Sequence, residues 1–207
     1  MSGIPGAGGD VALASALEFP SPDDALTAAL ARDLDRAFEP LVIAYRDRIV
    51  SYVARILRDD TRAEDVAQDV FVRAYRALAT YPPERLATLR LRAWLYSIAH
   101  NLTRNVFRDA PPPTDSLERE DGSLRAGLVE TQPGPELVAL RAEERAIIDE
   151  AIAQLSDALR PAFVMRYVDE LSYDEIADAL EQPVGTVKAS AHRGLMALRA
   201  RLENFDA

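Results

Sequence analysis

The stretch Ser172 to Leu202, SYDEIADALEQPVGTVKASAHRGLMALRARL, admits few folds, because it sets two helical patterns on either side of a proline-bearing turn. Ser172 and Glu175 have the spacing of a capping box, in which hydroxyl and carboxylate each satisfy one orphan backbone donor. A helix therefore starts here, with Ile176, Ala177 and Leu180 as its buried stripe. Pro183 has no amide proton and disfavours helix in the residue before it, which makes Glu181 to Pro183 the turn. From Val184 the apolar period resumes with Val187, Ala191, Leu195 and Leu198. The opposite face is expected to carry Thr186, Ser190 and Arg193, flanked by Lys188 and His192, and no acid occurs between Val184 and Leu202. Such a face suits a DNA major groove: side chains that donate hydrogen bonds, a helix N-terminus that favours phosphate, and charge of one sign. A solvated amphipathic helix in an ordinary bundle has the same period, so the pattern alone leaves both readings open.

Composition narrows the alternatives. A chain of 207 residues, 48% hydrophobic, has room for one large or two small domains with real cores. The absence of cysteine excludes disulfides, thiol catalysis and zinc-thiolate sites. His100 and His192 lie far apart and neither sits in a metal-ligand pattern, so no metal, cofactor or catalytic residue is expected. No apolar run is long enough to span a bilayer, and Met1 to Asp10 lacks the basic start and apolar core of a signal peptide. The expectation is a cytoplasmic protein without membrane insertion. A net charge of −10 looks wrong for a DNA binder until it is divided along the chain. Residues 1–36 hold two basic and six acidic side chains, 37–109 twelve and nine, 110–136 two and six, and 137–207 eight and thirteen. Bulk DNA repels such a surface, so the chain is expected to bind best when a larger partner holds it in place.

The organisation predicts an all-α chain of two small helical bundles joined by a flexible linker. Residues 1–36 form an acidic extension, with 1–20 expected to be disordered and Ser21-Pro22-Asp23-Asp24 opening a short helix to about Ala37. Residues 37–109 form the first bundle. Its first helix carries Phe38, Leu41, Tyr45, Ile49, Tyr52, Val53 and Ile56; a second opens on a capping box, Thr61 and Glu64, and turns Val66, Val70, Phe71, Ala74, Tyr75 and Leu78 inward. After a Tyr81-Pro82-Pro83 loop, a third runs from about Leu89 to Arg108 and buries Leu91, Leu95, Ile98, Leu102 and Val106. Residues 110–136, broken by Pro111 to Pro113, Gly122, Gly127 and Pro133 to Pro135, read as linker. At about 3.3 Å per residue this tether reaches about 85 Å, and two turns of duplex span about 70 Å. Residues 137–207 form the second bundle, with helices over Leu137 to Gln154, Asp157 to Val168, Tyr173 to Leu180 and Val184 to Leu202.

Three separated motifs are similar to those of one family. Ala63-Glu64-Asp65-Val66-Ala67-Gln68-Asp69-Val70-Phe71 resembles the D-x-x-Q-x-x-F helix of sigma domain 2, and Arg92-Ala93-Trp94-Leu95-Tyr96-Ser97-Ile98-Ala99-His100-Asn101 resembles its RAWLYRIARN segment. Leu171 to Ala177 leading into Val184-Gly185-Thr186-Val187-Lys188 resembles sigma domain 4. Together they cover nearly everything from Phe38 to Leu202, and the chain resembles the extracytoplasmic-function (ECF) sigma factors of bacterial RNA polymerase.

The resemblance implies that 37–109 is sigma domain 2 and 137–207 sigma domain 4 with its helix-turn-helix. It implies a non-enzymatic factor that joins core RNA polymerase and directs promoter recognition, melting and initiation. Asp65, Gln68, Asp69 and Arg73 would face the clamp helices of the polymerase's largest subunit. Asn101, Arg104, Asn105 and Arg108 would meet the −10 element, and Thr186, Lys188, Ser190 and Arg193 the −35 element, of promoter DNA. The loop Thr80 to Thr88 would accept a flipped base, Trp94 reads as core, and an anti-sigma factor is an implied partner. The chain departs from the family where Ser190 and Leu195 replace common arginines, where Asn105 replaces a frequent acid, and where Glu181 stands at a turn position that favours glycine. A stand-alone helix-turn-helix regulator is the alternative; it accounts for the last helix and not for the first two motifs.

Overall fold

The computed structural model describes residues 22–109 and 146–205, and every regular element in them is helical. In chain order these are α1 (Pro22–Arg32), α2 (Leu34–Leu57), α3 (Asp60–Leu78), α4 (Pro83–Ala87) and α5 (Leu91–Asp109). A helix over 146–153 (α6) follows, then α7 (Arg160–Phe163) running into a π-helical turn (Val164–Val168), α8 (Tyr173–Leu180) and α9 (Val184–Phe205). The expectations for residues 1–20, Ser21, the linker 110–136 and a helix start at Leu137 lie outside the described residues.

The antiparallel pair α2 and α3 forms the spine of the first bundle. Leu41, Ile49, Tyr52, Val53 and Ile56 of α2 are buried against the small residues Ala63, Ala67 and Ala74, with Val70, Phe71 and Leu78 completing the face of α3. Each fully buried large side chain stabilises by about 1.5–3 kcal/mol relative to exposure. Two boundaries differ from expectation for the same reason. The Asp33 side chain accepts from the Arg36 amide at 3.1 Å, so α1 ends at Arg32 and α2 starts at Leu34 rather than near Phe38. Likewise Asp59 accepts from the Arg62 amide at 3.0 Å, so α3 opens ahead of the expected Thr61 and Glu64 box. In both places an aspartate two or more residues upstream supplies an equally good cap. Helix α1 belongs to the bundle and not to a detached extension: Leu30 and Thr27 are buried, and the Tyr45 hydroxyl donates to Asp23. Within the expected loop Thr80 to Thr88, Pro83 starts the short helix α4, whose Leu86 is buried. Tyr75, expected inward, instead donates its hydroxyl to Asp35 at 2.6 Å from a partly exposed site.

The second bundle is held by α7 and α9, with α6 and α8 beside them. Pro161 can occupy only a first helical turn, so the expected Asp157 to Val168 helix is a turn up to Leu159 and helix from Arg160. It then widens: the Asp169 amide donates to the Val164 carbonyl at 3.0 Å, a five-residue spacing, and Glu170 leaves in the left-handed region at φ 60°. Gly194 lets α9 cross close to Phe163, since a Cβ there would lie 3.0 Å from that side chain's own Cβ. Helix α8 keeps its capping box, with the Glu175 amide donating to Ser172 Oγ at 3.2 Å and the Ser172 amide donating to Glu175 Oε2 at 2.8 Å. Glu181 closes it in the left-handed region at φ 53°, where the sequence places a carboxylate in a glycine-favouring turn. The bundles also pack on each other, α5 lying along α8, so that one buried core runs through both.

Candidate nucleic-acid and polymerase interfaces

Three exposed faces carry the expected site residues. On α3, Asp65, Gln68, Asp69 and Arg73 are all exposed and follow helical spacing down one side, opposite the buried stripe. Val72, 39% exposed, stands in the middle of that polar stripe as an apolar contact point, which the sequence reading had not singled out.

Helix α5 divides along its length. Its first half is enclosed, with Leu91, Ala93, Leu95, Tyr96 and Ala99 buried and Trp94 half-buried. Its second half projects Asn101, Arg104 and Arg108 into solvent, while Asn105 is half-buried at the margin. Between the halves His100 Nδ1 pairs with the Tyr52 hydroxyl at 3.1 Å, and burial, helped by Arg104, lowers its pKa to about 4. That ring is neutral at pH 7 and adds no cation to the stripe. Beside α5, the Arg85 guanidinium lies 3.7 Å over the Tyr81 ring, and Tyr81 meets Trp94 at 6.0 Å between centroids. The expected base-accepting segment is therefore an ordered aromatic corner, with Trp94 lining an open groove alongside Leu89, Arg90, Ser97 and Asp178.

On α9, Thr186, Lys188, His192 and Arg193 are exposed as expected. Ser190 is not: at 6% exposure it falls on the buried stripe with Val187, Ala191 and Gly194, three and four residues apart. Four-residue steps placed Ser190 between Thr186 and Arg193, but the helix turns Ala189 outward there, and the Arg193 Nε donates to the Ala189 carbonyl at 3.3 Å. The structure brings one further group to this face. The half-buried Tyr173 ring, at the start of α8, receives the Arg166 guanidinium at 4.9 Å and the Lys188 ammonium at 5.6 Å from its centroid. A ring between two cations concentrates positive charge at the mouth of the helix-turn-helix. Nothing in periodicity pairs Arg166, Tyr173 and Lys188, because they sit on three elements. Among the described residues no group of three or more His, Asp or Glu is gathered as for a metal ion, and no helix is long and apolar enough to cross a membrane.

These faces lie within two matched sequence families: Sigma-70 region 2 over residues 41–111, and Sigma-70 region 4 over residues 145–198. The RNA polymerase sigma-H factor of Pseudomonas aeruginosa is 34% identical over 185 residues, covering 87% of this chain and 94% of that protein. The chain belongs to the ECF sigma factors of the sigma-70 family. The ECF sigma factor SigW of Bacillus subtilis is 35% identical over 173 residues, covering 82% of this chain and 90% of its own. Among solved structures, CnrH in complex with the cytosolic domain of CnrY superposes with a TM-score of 0.59 at 24% identity, over 88% of this chain and 97% of that one. The sigma factor RpoE in complex with the anti-sigma factor NepR from Bartonella quintana gives 0.56 at 18%, over 80% and 96%. Both share the all-helical fold. An ECF sigma factor is a promoter-selecting initiation factor of RNA polymerase, and the stand-alone regulator is not the better account of a chain that matches both regions.

Proposed function

We propose that this sigma factor docks on the clamp helices of the polymerase's largest subunit through Asp65, Gln68, Asp69 and Arg73 of α3, with Val72 between them. Residues 37–109, with α1 added to them, act as sigma domain 2 and engage the −10 element through Asn101, Arg104, Asn105 and Arg108. Residues 137–207 act as sigma domain 4 and read the −35 element as duplex through Thr186, Lys188 and Arg193, while Ser190 serves packing. Residues 110–136 act as the tether between boxes. The factor works in the cytoplasm without catalysis of its own. Since one structural neighbour is described in complex with an anti-sigma factor and another with the cytosolic domain of CnrY, an anti-sigma factor is a fitting partner here as well.

The observation that supports this reading is the separation of chemistry by face: the α3 stripe mixes acid, amide and one arginine, whereas α5 from Asn101 to Arg108 and α9 from Val184 to Leu202 expose cations without acids. Phosphate contact needs the latter, and a protein partner accepts the former. Run-off transcription with core polymerase, together with a core-binding assay, tests the division. Arg193→Ala should lower promoter-dependent transcription by about ten-fold, within the range of one base contact, and leave core binding unchanged. Asp69→Arg should weaken core binding itself. Equal loss of both activities in Arg193→Ala would contradict the assignment.

A further inference from the structure

The seam between the bundles is built from charge of opposite origin. Arg92 of α5 makes a two-pronged bond to Glu175 of α8, Nε to Oε1 at 2.9 Å and Nη2 to Oε2 at 2.8 Å. Arg55 Nε of α2 donates to Asp149 of α6 at 2.9 Å, Arg58 Nη2 to Asp157 at 3.3 Å, and Arg90 to Asp178. In all four pairs the arginine comes from the first bundle and the carboxylate from the second, which matches the twelve-to-nine and eight-to-thirteen charge balance of their segments. Within this seam a carboxyl is enclosed with incomplete compensation. Asp169 is 7% exposed, and neither its Oδ2 nor the Tyr96 hydroxyl makes a well-formed hydrogen bond among the described residues, although the hydroxyl lies close enough to act on the carboxyl.

The closed arrangement is incompatible with the promoter. Packed helices lie about 8–10 Å apart, so α8 on α5 holds the helix-turn-helix beside the −10 face, whereas two duplex turns separate the boxes by about 70 Å. The seam must part before both are read.

We propose that Asp169, shut between the two bundles beside Tyr96, makes their docking an acid-tightened latch that withholds the sigma factor from promoter DNA and loosens as pH rises. The groups facing Asp169 are Arg48, Arg55 and Tyr52 on α2, and Arg92 and Tyr96 on α5, with Glu175 of α8 engaging Arg92. Burial pushes the Asp169 carboxyl up to about 7, against the lowering pull of Arg55, Tyr96, Arg48 and Arg92. Once the seam opens, the carboxyl returns toward the ordinary aspartate range near 3.9. A proton is thus bound more tightly in the closed form. The stabilisation of closure is complete below the open-state value and disappears as pH climbs through about 7. His100, held at about 4 by burial and Arg104 within the first bundle, stays neutral across that range and adds no response.

The inference rests on the two-box reading, and its test contains neither DNA nor polymerase, so its failure leaves that reading standing. The chain has no cysteine of its own, so Arg76→Cys on α3 and Arg199→Cys on α9, both exposed, give clean sites for a fluorescent distance pair. From pH 8 to pH 6 the closed-to-open ratio should rise about ten-fold, the response of one proton titrating near 7. Asp169→Asn should stay closed at both pH values with no response. Tyr96→Phe, which removes the hydroxyl that pulls Asp169 down, should move the midpoint to higher pH. Arg92→Glu should open the chain at both, and adding Glu175→Arg should close it again. A wild-type response identical to that of Asp169→Asn, opening on acidification, or a long distance at every pH would each overturn the proposal.

Discussion

Two buried polar side chains, Arg160 and Asp169, sit nine residues apart in the second bundle and are treated in opposite ways. Arg160 is 1% exposed, yet its guanidinium makes four hydrogen bonds: Nε donates to the Ile152 carbonyl at 3.2 Å, Nη2 to Ala153 at 3.0 Å and to Leu155, and Nη1 to Asp157 at 2.8 Å. It closes the orphan carbonyls at the end of α6, and all its acceptors belong to its own bundle, Asp157 being shared with Arg58 across the seam. Asp169 is enclosed by the other bundle and left with an unpaired oxygen. A buried charge bonded this well fixes a unit, because removing it strands buried carbonyls that have no other donor. An unsatisfied one at a boundary makes the contact conditional, because separation relieves it. The chain is rigid inside each bundle and reversible between them.

The contrast is broken most directly at its stronger end. Arg160→Leu takes the side-chain donors from the buried Ala153 and Leu155 carbonyls and leaves Ile152 with its Leu155 amide alone, and it should lower the stability of the second bundle by about 3 kcal/mol, read by urea unfolding. The first bundle, which supplies none of those carbonyls, should keep its helical signal at urea concentrations that melt the second. If the whole chain melts together, the division into a permanent interior and a separable seam is wrong.

Glu175→Ala comes next, because that carboxylate serves both sides of the comparison. It caps its own helix and grips Arg92 across the seam. Burial raises its pKa, but bonds from Arg92 and Ser172 more than offset this and hold the carboxyl at about 2. Loss of the cap and the bridge should cost about 1–2 kcal/mol at pH 7. The sign follows from the depressed value: the contribution is complete above the ordinary glutamate range near 4.3 and disappears as pH falls through about 2. Wild type and Glu175→Ala should therefore converge in stability at the acid end of a denaturation series. A difference that persists unchanged there would assign the effect to packing rather than to charge.

What the sequence disclosed follows the same line. The Ser172 and Glu175 box, the Pro183 turn and the apolar stripes of α3 and α9 depend on residues a few positions apart, and the structure reproduces them with Tyr75 of α3 as the exception. Errors arose where two local solutions compete: Asp59 out-caps Thr61, and a four-residue step instead of a three-residue one turned Ser190 outward on paper when it lies inward. The seam was beyond local reasoning, since Arg92 and Glu175 are 83 residues apart and Arg55 and Asp149 are 94 apart. Segment charge foretold only its sign. The Arg166, Tyr173 and Lys188 cluster was beyond periodicity because its members sit on three different elements.

The smallest effect should come from Glu181, which lies in neither a buried polar site nor the seam. Its backbone adopts φ 53° and ψ 43°, a region that crowds any Cβ, and its amide donates to the Asp178 carbonyl at 3.4 Å to end α8. Its side chain is exposed and has no bond or ion pair among the described residues that a glycine would forfeit. Glu181→Gly therefore removes strain in the folded turn, while the added freedom of glycine in the unfolded chain opposes the gain. The balance at a left-handed helix terminus favours glycine, by about 0.5–1 kcal/mol. Thermal unfolding should show a slightly higher midpoint, with the pH response of the inter-bundle distance unchanged. A stabilisation accompanied by a shift in that response would mean that the turn transmits to the seam through α8, and the two regions would then have to be treated as one.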